Sequence, residues 1–198
     1  ICLRQYGDSA GEALSKFGIF EAIVIPTIFF PSVILCSMSG IIVSEAARAK
    51  AANNKERIKS FTERIKMWTL MFSIFASAVL IRFGREIGEL LGGGELAGRM
   101  IAIMAPVVPF IYMEIVLEAL IKGLGLQSFS SVNYLAEYII RIAAVLILIP
   151  RIGFYGIVVS YYASNIFGNC CRFIKITKAT GAHRSLCGTI ILPVGIAA

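Results

Sequence analysis

Polar and apolar residues are not finely interleaved along most of this chain; the charges are gathered between long apolar runs. From Ala22 to Ser44 there is no Asp, Glu, Lys or Arg, and then Arg48, Lys50, Lys55, Arg57 and Lys59 follow in quick succession. A helix rises ~1.5 Å per residue, so about twenty mostly apolar residues cross a ~30 Å hydrocarbon core. On that measure the pattern predicts spanning helices over approximately 18–44, 67–83, 99–121, 133–150 and 152–171, and a sixth over 186–198. The first and fifth carry the strongest signal; the second is short, and charge interrupts the third and fourth. The expected fold is all-α: a single partial transmembrane bundle over 1–198, with about five full spans and a truncated sixth.

The stretch between the first two spans, 45–66, reads as a basic, partly helical connector. Its "EAARAKAA" favours helix, and Asn53–Asn54 should interrupt it. Pro26 and Pro31 fall inside the first span, Pro106 and Pro109 inside the third. Each removes a backbone donor and crowds the preceding turn. Such pairs make either hinges that bend during transport or static kinks that aid packing. Glycine marks the corners "LGGGELAG" (91–98), "KGLGLQSFSSVN" (122–133) and "RIGFYG" (151–156). Gly153, Gly156, Ser160, Ala163 and Gly168 are expected to let the fifth span approach its neighbours closely.

Composition agrees with the bilayer. Of 198 residues, 58% are hydrophobic and 16% charged, against roughly a quarter charged in globular domains. Lys and Arg number 19 against 12 acids, a net charge of +7. If each segment crosses once, one side receives 45–66, 122–132 and 172–185 with twelve Lys and Arg, Arg172 among them, and the other receives four. The positive-inside rule then puts 45–66 in the cytoplasm and the chain in the cytoplasmic membrane as a multi-pass protein. The same charges are expected to meet lipid headgroups; no basic stripe with interleaved aromatics points to nucleic acid.

Enzyme chemistry finds no support. The chain has a single His, His183, a single Asp, Asp8, and no catalytic triad, HExxH motif or phosphate-binding glycine loop. Cys2, Cys36, Cys170, Cys171 and Cys187 lack the spacing of a disulfide framework or zinc site. No metal or cofactor is expected. The chain does not begin with Met, and "LCGTIILPVGIAA" stops within an apolar run, as expected of a piece of something longer.

Charges inside spans need a partner, water or a task. Glu137 and Arg141 are spaced to pair on one helix face. Alternatively, Arg141 faces a polar cavity and contacts an anionic substrate group, with Glu137 orienting it. Glu114, Glu118 and Lys122 share a face of the third span. Glu118 is expected to pair with Lys122, and the deeper Glu114 is a candidate proton or cation site. Glu114, Glu118, Glu137 and Arg141 are therefore the candidate substrate-binding residues, and Pro26, Pro31, Pro106 and Pro109 the candidate kinks.

The run "LRQYGDSAGEALSKFGIFEAIVIPTIFFPSVILCSMSGIIVSEAARAKAANNKERI", with its "FG" lead, Pro26, Pro31 and Ser44-Glu45-Ala46, carries a family likeness, continued by "LIKGLG" (120–125) and "IPRIGFYGIVVS" (149–160). It resembles the C-terminal half of stage V sporulation protein B-like proteins, in the polysaccharide-export branch of the multidrug/oligosaccharidyl-lipid/polysaccharide (MOP) flippase superfamily. Many relatives place proline where Ile41 stands here. The likeness implies two lobes of helices around a central cavity, working by alternating access, with the N-terminal half of the transporter as the partner of this chain. It implies that a lipid-linked sugar, such as a cell-wall or capsule precursor, is moved across the membrane. Two alternatives stand beside that flippase: a cation-coupled multidrug antiporter of the same superfamily, using Glu114 and Glu137, and a non-transporting membrane fragment or scaffold.

Overall fold

The computed structural model describes residues 10–153 and 155–181. The sixth span expected at 186–198, together with Cys2, Asp8, His183 and Cys187, lies outside the described residues. Five helical rods follow one another with short turns: α1 (Gly11–Ala51), α2 (Lys55–Leu90), α3 (Gly94–Gly123), α4 (Gln127–Ile152) and α5 (Tyr155–Thr180). They run alternately up and down, and the described residues contain no strand. α1 to α4 are long and apolar enough to cross a membrane. α5 is as long as α4, at 26 residues each, but does not meet that measure, because Ser160, Ser164, Asn165, Asn169 and Arg172 interrupt its apolar sequence. The absence of charge put 152–171 among the strongest expected spans; the polar residues of α5 lower its mean hydropathy.

The rods outrun the predicted spans. At ~1.5 Å per residue, the 41 residues of α1 extend about 60 Å, twice the hydrocarbon thickness. Hydropathy marks only the apolar middle of such a rod, whereas helix propensity carries the backbone on through charged residues. The connector 45–66 is accordingly almost all helix, broken only at 52–54. Asn53 there adopts a left-handed φ of 48°, which Asn tolerates better than most residues. The side chain of Asn54 then caps α2, its Oδ1 accepting from the Arg57 amide at 2.9 Å. Across the break, Glu45 of α1 holds Arg57 of α2 at 2.9 Å as well as Arg48 at 3.2 Å.

α3 is the central element, packed on α1, α2 and α5, while α4 lies mainly against α5. Gly84, Gly88 and Gly98 bring α2 and α3 close; a Cβ on Gly98 would stand 2.7 Å from Arg85 Cα. Away from these seams, large apolar side chains such as Phe30, Trp68, Phe75, Leu135, Ile139 and Leu146 face outward, as lipid-facing surfaces do and soluble ones do not.

Each proline pair sits at a departure from α-helical geometry. In α1 a π turn at Phe20–Val24 precedes Pro26, and a 3-10 turn at Phe30–Ser32 contains Pro31. In α3 a 3-10 turn at Ala105–Val107 contains Pro106 and leads into Pro109. In a bilayer the carbonyls so released must find donors nearby. Pro109 cannot donate to the Ala105 carbonyl four residues back; that carbonyl accepts from the Val108 amide and from the buried Ser77 hydroxyl of α2, the latter at 2.9 Å. Tyr112 donates to the Ile28 carbonyl beside the α1 turn at 2.9 Å, and Tyr162 to the Ile103 carbonyl beside the α3 turn at 3.1 Å. Neighbouring helices thus take over the bonds that the irregular turns release.

Candidate functional site

A polar seam runs through the bundle where α3, α4 and α5 meet. At its centre Arg172 is fully buried, with 0% of its side chain exposed. Its guanidinium grips the Glu137 carboxylate of α4 with two bonds, Nη1 to Oε1 at 2.5 Å and Nη2 to Oε2 at 3.2 Å. From α3, Glu114 accepts from Nη2 at 3.3 Å and Glu118 from Nε at 3.5 Å. The Tyr134 ring covers the guanidinium carbon at 4.6 Å. A planar fork can serve several carboxylates at once, which an ammonium cannot do with the same geometry.

The acids are held from their other sides. Asn133 donates to Glu137 Oε1 at 2.7 Å, the Ser130 hydroxyl donates to Glu118, and Lys122 reaches Glu118 at 3.6 Å. Gly168 makes the arrangement possible, since a Cβ there would collide with the Glu137 carboxylate. Three carboxylates face Arg172 and Lys122, so the ion pairs leave one negative charge unmatched. Arg141 also lies near Glu114 and Glu137, without an ion pair to either.

Arg141 lines a pocket of about 200 Å³ beside the seam. Its Nε donates to the Ser164 hydroxyl at 3.1 Å, and its guanidinium lies over the Tyr161 ring at 4.4 Å. Glu114, Glu137, Tyr134, Tyr138, Tyr161 and Asn165 share the lining. Asn165 is buried, and its Oδ1 has no hydrogen-bond partner. The pocket therefore offers a guanidinium with most of its donors unspent, an amide oxygen with nothing to accept from, and aromatic faces.

Sequence spacing brought most of these residues into view but misassigned their partners. Glu114, Glu137 and Arg141 meet at one pocket, while Glu118 lies deeper, on Arg172 and Lys122. The Glu118–Lys122 pair forms as expected. A Glu137–Arg141 pair does not: Glu137 is taken by Arg172, and Arg141 turns to Ser164 and Tyr161. Arg172 itself, counted from sequence among the residues of a basic loop, lies inside the bundle because α5 continues to Thr180. A signal for it was present. Asn165, Asn169 and Arg172 recur at helical spacing on one face of α5, and three acids in spans required a buried cation. Among the described residues, no group of three or more His, Cys, Asp or Glu side chains is placed to hold a metal ion.

A family model described as MatE matches residues 10–147. No curated protein and no solved structure matches the chain.

Proposed function

The chain belongs to the MatE family, which makes it part of a membrane transporter of the MOP superfamily, and from that premise we propose that it moves a lipid-linked oligosaccharide or cell-wall polysaccharide precursor by alternating access. The observation that carries this reading is the guanidinium of Arg141, exposed to a polar pocket and, among the described residues, without a carboxylate partner. Arg suits phosphate because its fork binds two oxygens together. The same pocket presents Tyr134, Tyr138 and Tyr161, whose rings can stack on sugar faces while the lipid tail stays in the bilayer. The division of labour is geometric: Arg172 takes the hydrogen bonds of the carboxylates around it, and Arg141 keeps a fork that none of them occupies. The irregular turns at the proline pairs are where α1 and α3 would yield as the lobes exchange access.

Arg141→Ala in the full-length protein should reduce export of lipid-linked precursor by about tenfold or more, with the amount of inserted protein unchanged; loss of one charge-assisted contact is worth roughly that factor. Unchanged export would remove Arg141 from the substrate path. A second reading, the cation-coupled drug antiporter, is favoured by Glu114. That residue is partly exposed at 21%, opens to the pocket and makes its ion pair with Arg172 alone. Drug efflux that depends on a Na⁺ or proton gradient, without precursor export, would decide for it.

A further inference from the structure

A second cavity, of about 240 Å³, lies between α2, α3 and α5 and shares no lining residue with the Arg141 pocket. Its walls are almost wholly apolar: Leu70, Ile74, Pro109, Met113, Leu117 and Phe173 among them. One charged side chain enters it. Lys66 is 3% exposed, and its Nζ has no hydrogen-bond partner among the described residues. Its single strong contact is with the Phe173 ring, whose centre is 4.4 Å away. Glu63, one turn earlier on α2, attracts it without forming an ion pair. A second unmet group, Asn169 Oδ1, belongs to the same lining; the amide's donors are spent on the Phe110 and Asn165 carbonyls, each at 2.9 Å. An ammonium with all three donors unmet inside an apolar cleft is costly unless something completes it.

The direction of the cavity says what completes it. Lys66 is at the end nearest the basic connector, with Arg48, Lys50, Lys55, Arg57 and Lys59 beyond it. The apolar lining runs the other way, from Lys66 through Leu70 to Ile74 on α2 and from Leu117 through Met113 to Pro109 on antiparallel α3. Eight residues from Lys66 to Ile74 correspond to about 12 Å of rise toward the middle of the membrane. A cation at the headgroup end, followed by a hydrocarbon-lined cleft toward the bilayer centre, is the shape of an acidic lipid.

We propose that this cleft holds one anionic phospholipid of the leaflet at the basic end, its phosphate on Lys66 and an acyl chain along Leu70, Met113 and Ile74. The site is separate from the Arg141 pocket and stands whichever substrate the transporter moves.

The test is native mass spectrometry of the detergent-solubilised full-length protein titrated with phosphatidylglycerol or phosphatidylcholine. The wild type should bind one phosphatidylglycerol about fivefold or more tightly than phosphatidylcholine, the effect of one well-placed cation near the headgroups. Lys66→Met should abolish that preference, and Lys66→Arg should keep it. Glycerol phosphate, which has the charge but no chain, should not displace the lipid. Equal binding of the two lipids by the wild type, or an unaltered preference in Lys66→Met, overturns the proposal. Displacement by glycerol phosphate would show a site for a soluble anion and overturn it too. The comparison of lipids on the wild type needs no variant, and transport activity plays no part in the readout.

Discussion

Among the described residues two cations are buried, Arg172 and Lys66, and they live in opposite surroundings. Arg172 is ringed by Glu114, Glu118 and Glu137 and stacked on Tyr134. Lys66 is almost as buried, yet it meets only apolar walls and one aromatic ring. The first is completed by the protein, and the second is left for something outside the chain. Burial of a charge therefore says little by itself; what distinguishes a structural cation from a binding one is whether its donors are already spent. Arg141 falls on the binding side, with one hydrogen bond to Ser164 and the rest of its fork facing a pocket.

That contrast can be broken by substitution. The largest effect belongs to Arg172→Leu, which leaves three carboxylates in the seam with only Lys122 and the unpaired Arg141 near them. Breaking a buried pair from one side costs about 3–5 kcal/mol, so thermal unfolding in detergent should shift down sharply. Gly168→Ala comes next. Its added methyl must displace the Glu137 carboxylate, and overpacking of that kind costs about 1–3 kcal/mol; the same unfolding assay reads it. Ser77→Ala should cost about 1 kcal/mol, by removing the side-chain donor to the Ala105 carbonyl and leaving it the Val108 amide alone. Smallest is Lys66→Met. In detergent without added lipid it should lose no stability, because it replaces an uncompleted charge with a side chain that suits the apolar lining.

The same contrast explains how much was legible beforehand. The all-α membrane class followed from apolar run length, and the break at 52–54 followed from Asn53–Asn54. The acids and Arg141 were visible because a charge in an apolar run stands out. Their partners were not, because spacing along one helix reveals neighbours on that helix only. Glu118–Lys122, a pair within α3, was found, whereas the Glu137–Arg172 pair joins α4 to α5. Arg172 was lost to the loop because hydropathy ended the fifth span at residue 171, while the helix continues to Thr180. The family likeness placed the chain among MOP transporters, as the match over residues 10–147 shows at the level of the MatE family. It offered no hint of Arg172 or of the Lys66 cleft, since neither belongs to the motifs that carried it.

The central claim is that Arg172 serves the protein's own carboxylates and so leaves Arg141 unspent. Its most direct test is the unfolding temperature of Arg172→Leu with and without E114Q, E118Q and E137Q. If the arginine is there to balance those acids, neutralising them should recover most of the lost stability. Failure of the combined variant to regain any of it would show that Arg172 supports the fold by other means and would contradict the account.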